Sequence, residues 1–472
     1  MQDGNSDHGG RLAAALEMLR PRFGGRLQTG LPVRQQHAAT LTWLPAAAPD
    51  AVAFAQDTGD VVAAVNACSA HKIPLIAFGA GTSLEGHVNA PLGGISLDLS
   101  GMNRILAIHE SDLDAEVEAG VTRTQLNDHL RDRGLFFPLD PGAGHATLGG
   151  MASTRASGTT AMRYGTMKDI VLNLTAVMAD GSVVRTARRA RKSSAGYDLT
   201  RLLIGAEGTL GIITSLTVRL FGQPESIVAA VCPFRTLEGA CNTVIEAIQL
   251  GLGAARMELV DATMIRAYVA YAKLPLEIAP TLFVEFHGTP AATAEQLAMF
   301  RDIAAAQGML RFEQAEKLED RNRLWKARHD AYWAVKGLRP GAESFATDVC
   351  VPISRLAECV TQTTADIERL GLIAPIVGHA GDGNFHVQPL IDPADAGERA
   401  RIAEFLDALT ARALAMDGTC TGEHGVGTGK IKYMTAEHGT GVAVMRAIKR
   451  ALDPAGILNP GKILPEGPEI SH

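Results

Sequence analysis

Between Pro138 and Gly165 the chain reads PLDPGAGHATLGGMASTRASGTTAMRYG, a stretch built almost wholly from small residues. Such a run cannot fill a core with its own side chains. It can bring backbone N–H groups against something bulky and flat. A compact domain rarely carries a long structureless stretch without a use for it, so the run predicts a fold whose interior is completed by a ligand. The other glycines agree: of the 49 in the chain, many sit in a few loops, the pattern expected where backbone approaches a ligand closely.

One of these loops is FGAGTSLEGHVNA, after the strand-like Leu75 to Phe78 and before the strand-like GISLDLS. It joins strand to strand. A dinucleotide fingerprint needs G-x-G-x-x-G opening a helix, but Leu84 holds the third glycine position and no helix follows. Thr82 and Ser83 instead suit a nest of N–H groups and hydroxyls for a pyrophosphate. A third loop, IGAEGTLGIIT, spaces Gly205, Gly208 and Gly211 by three. Gly427-Thr428-Gly429-Lys430 resembles a phosphate loop only at a glance, because the positions that need Gly and Ser/Thr hold His424 and Ile431.

A length of 472 residues calls for two or three domains. A hydrophobic content of 46% with 20% charged residues describes a globular protein. A net charge of -7 argues against a nucleic-acid face. The single basic run, RTARRARK from Arg185, reads as a solvated strand end or as an anion patch. No apolar segment reaches the roughly 18 residues of a membrane span, so the expected location is cytoplasmic, at most peripheral to a membrane. The scattered Cys68, Cys232, Cys241, Cys350, Cys359 and Cys420 form no CxxC pair, which fits a reducing compartment.

Two further loops carry chemistry. GHAGDGNFHV reads as a hairpin turned by Gly-Asp-Gly, placing His379 opposite His386. CTGEHGVG supplies Glu423 and His424. Two imidazoles and a carboxylate make a three-ligand site with open positions, the usual form of a catalytic metal centre. Zinc and manganese both accept that set. Past Gly222-Gln223-Pro224 the texture changes to helices alternating with strands in an antiparallel-compatible order, an α+β pattern. A charged helix is expected over Glu316 to Lys336.

Taken together, PLIAFGAGTSLEG, PLDPGAGHATLGGMASTRASGT, RYG, IGAEGTLGIIT, TDVCVP, GHAGDGNFH, TCTGEHGVG and DPAGILNPGK resemble the FAD-linked oxidases of the vanillyl-alcohol oxidase type. Within them the similarity is greatest to the D-lactate dehydrogenase (cytochrome) group, kin to the glycolate oxidase flavin subunit and D-2-hydroxyglutarate dehydrogenase. The resemblance implies an α+β fold: a two-subdomain FAD-binding domain over 1–222, an α+β cap for substrate over 223–425 with an antiparallel sheet, and a segment over 426–472 returning to the FAD domain. FAD, bound non-covalently, would lie on Gly79, Ala80, Gly81, Thr82, Ser83 and Gly86. Pro141, Gly142, Gly149, Gly150, Ala152, Ser153, Gly158, Tyr164, Glu207, Gly208, Gly211 and Ile213 would line the rest of it, with Asn459 near the ring edge.

The implied reaction is oxidation of D-lactate or a similar D-2-hydroxy acid to the 2-oxo acid. Arg328 would grip the carboxylate with its planar fork. His379, His386 and Glu423 would hold one divalent ion, and His424 would take the hydroxyl proton. The hydride would pass to flavin N5. Relatives that accept a second carboxylate carry a Lys two residues before the Asp of the TDVCVP-like strand; Ala346 stands there, which argues against a dicarboxylate. Tyr332 and Trp333 are expected to narrow the pocket. The alternatives are the flavin subunit of a glycolate-oxidising complex and a D-2-hydroxyglutarate dehydrogenase. Cytochrome c, a quinone or an electron-transfer flavoprotein would receive the electrons, and a homodimer is allowed.

Overall fold

The first of two units opens with the helix Asp3–Phe23, and short parallel strands flanked by a capped helix follow it. The computed structural model describes residues 3–38, 40, 42–315, 319, 321, 325, 328 and 330–466. By internal packing the chain divides into one unit of Met1–Ser157, Thr166–Gln223 and Glu423–His472, and another of Gly158–Gly165 and Pro224–Gly422.

In the first unit a four-stranded sheet runs Leu27–Gln28, Ala51–Phe54, Ile95–Asp98, Leu75–Phe78. The last three strands are mutually parallel. Ile95–Asp98 sits inside this sheet and is buried throughout, so it shows no alternation. The helix Thr58–His71 packs Val61, Ala64, Val65 and Cys68 inward. It starts where the Asp57 carboxylate accepts from the Asp60 N–H at 2.8 Å. Between the first two strands lies the helix Leu31–Gln36, started by Pro32 in its first turn. A second, antiparallel sheet has the order Ile105–His109, Asp114–Glu118, Ile212–Arg219, Val171–Val177, Val183–Arg185. Most of the basic run is exposed, with Arg185, Arg188, Arg191 and Lys192 at the surface, while Arg189 donates to Asp112 at 2.7 Å and to both oxygens of Asp114. The end of the chain joins the first sheet, with Leu75 N–H donating to Ile457 O and Asn459 N–H to Leu75 O.

The second unit is built on one antiparallel sheet, in the order Glu313–Ala315, Ser226–Pro233, Thr281–Gly288, Ala254–Val260, Ile376–His379, Asn384–Val387, Val349–Cys350. Side chains alternate across such a sheet. One face sends Cys232, Met257, Leu259, Val284, Phe286, Ile376, Phe385 and Val387 into a core with residues from the helices Leu237–Gln249, Pro290–Ala306, Leu356–Arg369 and Ala396–Ala415. The opposite face buries Val231, Val260, Phe283 and Val377 with residues of Ala262–Ala272 and Ala331–Lys336. That second face also carries the polar residues described below. The helix expected over Glu316 to Lys336 lies in large part outside the described residues. Among the described residues no helix is long and apolar enough to cross a membrane.

Candidate active site

In the first unit the Gly-rich loops gather around one short helix, Leu148–Thr154. Thr147 caps it, its hydroxyl accepting from Gly150 N–H. A side chain at Gly79 would come within 2.4 Å of that hydroxyl, so the first loop starts tight against the helix N-terminus. The third loop follows the same helix: Gly205 N–H donates to Ala152 O and Glu207 N–H to Ser153 O, both at 2.9 Å. Gly149, Gly150, Ala152, Ser153, Glu207 and Gly208 therefore share one neighbourhood. Ile213 is buried in the strand that follows Gly211. Pro141 and Gly142 lie in the turn ahead of the helix, where Gly142 is exposed. Gly158 and Tyr164 pack with the second unit.

Glu207 ties these loops to the end of the chain. Its carboxylate accepts from Val426 N–H at 2.7 Å and Gly427 N–H at 2.9 Å, and His87 Nε2 stands 3.3 Å away. Burial pushes the Glu207 carboxyl up, but the imidazole and the two amides outweigh it and hold it below the ordinary range. Asn459 acts as a strut, its Nδ2 donating to His87 O and Glu207 O. Lys462 donates to Asn89 O, and burial lowers its ammonium to about 8. His424 Nδ1 lies 3.8 Å from the Glu85 carboxylate, which Lys430 approaches to 3.3 Å. Among the described residues, the Ser83 hydroxyl and His87 Nδ1 are buried without a protein partner. Unused polar atoms beside loops that exclude side chains fit a flavin dinucleotide.

In the second unit the polar face of the sheet gathers a different set. Glu258 pairs with His379 across adjacent strands. Its Oε1 accepts from His379 Nδ1 at 2.6 Å and its Oε2 from Arg328 Nε at 2.7 Å. Burial alone would raise its carboxyl, yet His379 and Arg328 bring it down to about 2. The hairpin forms, in a different register. Ala380–Asp382 makes a single 3-10 turn with Gly383 left-handed after it, so His386 faces Val377 and not His379. The offset of two keeps both histidines on one face, their ring centroids 5.3 Å apart. His386 Nδ1 donates to Thr347 O at 2.9 Å. A carbonyl only accepts, so Nδ1 carries the proton and Nε2 of a neutral ring the lone pair. The Glu258 carboxylate imposes the same tautomer on His379. A held Nδ1 leaves Nε2 free to offer its lone pair, as a metal-binding histidine requires, and that fits a divalent ion. Asp348 is fixed alongside, accepting from Asn384 Nδ2 at 2.7 Å and Thr421 Oγ1 at 2.8 Å. Glu423 and His424 follow Gly422 directly in the chain.

The same face holds a second buried group. Tyr164 O–H shares a 2.7 Å hydrogen bond with His287 Nδ1, and His287 Nε2 meets Glu285 at 2.7 Å. Glu285 also accepts from Trp325 Nε1 at 2.6 Å. Trp325 is buried here, whereas Trp333 is 55% exposed. Glu258, Glu285 and His287 stand in no motif of the sequence. Their signal was charge at alternate positions of apolar strands, in ARMELV and TLFVEFHG.

Residues 49–187 match the FAD binding domain family, and residues 223–463 match the FAD linked oxidases, C-terminal domain family. The chain belongs to the FAD-linked oxidases, and it is an FAD-dependent oxidoreductase with the vanillyl-alcohol oxidase type of fold. It is 47% identical over 442 residues to a Danio rerio protein called probable D-lactate dehydrogenase, mitochondrial, covering 93% of this chain and 89% of that one. It is 46% identical over 418 residues to D-lactate dehydrogenase (cytochrome), mitochondrial, of Arabidopsis thaliana, covering 88% and 74%. The solved structure of p-cresol methylhydroxylase with substrate bound shares the fold at a TM-score of 0.80 with 19% identity, covering 96% of this chain and 97% of that one.

Proposed function

We propose that the chain oxidises D-lactate, or a similarly short D-2-hydroxy acid, to the 2-oxo acid. The observation that carries this reading is Glu258, which sets a guanidinium and an imidazole of fixed tautomer on one buried sheet face. Arg328 grips the substrate carboxylate through its planar fork. His379 and His386, with Glu423, are the metal ligands, for zinc or manganese. His424 takes the hydroxyl proton. Bound FAD supplies a two-electron acceptor, and the bound ion supplies Lewis acidity toward the hydroxyl. Two sequence relatives named as D-lactate dehydrogenases support the substrate class. Ala346 supports a monocarboxylate, since a second buried carboxylate would lack a cation.

The test is a visible spectrum of the purified protein. Addition of D-lactate is expected to bleach a bound yellow flavin, and prior chelation is expected to abolish the bleaching. A higher kcat/KM for D-2-hydroxyglutarate than for D-lactate would overturn the substrate assignment. FAD is held without a covalent bond, a reading supported by the sequence of the first Gly-rich loop, which has no His between Gly79 and Gly86; acid precipitation should release all of it. The Arabidopsis relative's name favours a cytochrome as electron acceptor, which a cytochrome c reduction assay tests. Six free cysteines support a reducing, cytoplasmic location. Cell fractionation tests that, and recovery from mitochondria, the compartment in both relatives' names, would overturn it.

A further inference from the structure

We infer that Glu258 is a positioning residue that couples metal binding to recognition of the substrate carboxylate. The inference rests on the reading above and deepens it. A carboxylate is planar and rigid, and this one spends one oxygen on each partner: Oε1 on His379 Nδ1 at 2.6 Å, Oε2 on Arg328 Nε at 2.7 Å. It is 0% exposed, so no water competes for either oxygen. Its strand lies between Thr281–Gly288 and Ile376–His379, hydrogen-bonded on both sides, which leaves the backbone little freedom to follow a moving side chain. Holding Nδ1 turns the far ring nitrogen of His379 toward a ligand-binding direction. Holding Nε orients the Nη edge of Arg328. A rotation of the carboxylate that relaxes one partner strains the other, so occupancy at either end alters affinity at the other, and the linkage is reciprocal.

The experiment uses the FAD-loaded full chain stripped of metal. Mn2+ affinity is read by electron paramagnetic resonance, and KM and kcat for D-lactate are read separately. Glu258→Gln replaces one acceptor by an NH2 that faces a donor, so one partner must be released. About a 10- to 100-fold weaker Mn2+ Kd is expected, with KM raised and not only kcat lowered. Glu258→Asp keeps the charge but shortens the reach, so it holds one partner and not both; an intermediate loss is expected. A lower melting temperature with Kd and KM within about twofold of wild type would mark Glu258 as merely structural and overturn the inference. A loss in one constant alone would overturn the coupling. The wild type supplies a measurement that needs no variant to fold: saturating propionate, a carboxylate without a hydroxyl, is expected to shift the Mn2+ Kd at least threefold. No shift would overturn the coupling. A wild type that binds no Mn2+ and ignores chelators would instead bring down the proposed function itself.

Discussion

Glu207 and Glu258 are both buried carboxylates held ionised, and they are satisfied by opposite means. Glu207 takes two backbone amides, from Val426 and Gly427, with His87 close by. Among the described residues, Glu258 takes only side chains, His379 and Arg328. Amides stay where the fold puts them whatever residue carries them. Side-chain partners bring charge and geometry that belong to particular residues. The first arrangement closes loops; the second aims functional groups. It follows that the first should tolerate loss of charge better than the second.

The largest effect is expected from Glu258→Ala, which leaves a guanidinium and an imidazole buried without their counter-charge. A loss of about 3–5 kcal/mol is expected in urea unfolding. The same carboxylate sets an acid dependence. Its folded value near 2 lies below the ordinary 4.5, so its contribution is complete above pH 4.5 and disappears as pH falls from there toward 2. Urea midpoints of wild type should drop through that window, and those of Glu258→Gln should drop less. Gly427→Ala comes next. Its Cβ would stand 2.0 Å from the Glu85 carbonyl oxygen, at a φ of +50°. About 2–3 kcal/mol is expected, with FAD lost on dialysis. Glu207→Gln keeps one acceptor for the two amides and should cost only about 1–2 kcal/mol. A larger loss than for Glu258→Ala would break the comparison. The smallest effect belongs to Tyr164→Phe, which removes the phenol from His287 Nδ1. About 0.5–1.5 kcal/mol is expected, read as a modest fall in melting temperature.

The same contrast explains what could be read in advance. Glu207 stands inside a run of glycines spaced by three, and glycines announce where a backbone must bend or approach. Gly-Asp-Gly between apolar residues announced the hairpin of His379 and His386. Its register could not be read, because the exact turn decides it and Gly383 completes a 3-10 turn in place of a two-residue one. Glu258 lies 70 residues from Arg328 and 121 from His379. Nothing local in ARMELV names either partner. Only strand pairing brings Glu258 opposite His379, and strand pairing over such separations leaves no periodic trace. The Tyr164–His287 bond was hidden for the same reason, spanning 123 residues.

Neither unit is one continuous piece of chain. The first is drawn from three segments, the last of them beginning at Glu423. Its inner sheet waits for Ile457 and Asn459 to reach Leu75, and Glu207 waits for Val426. During synthesis, then, the amino-terminal half leaves the ribosome hundreds of residues before the segment that bridges Leu75 exists. A shortened chain stopping near Gly422 would give up more than a tail, because the half made earliest would be left without its final stitches.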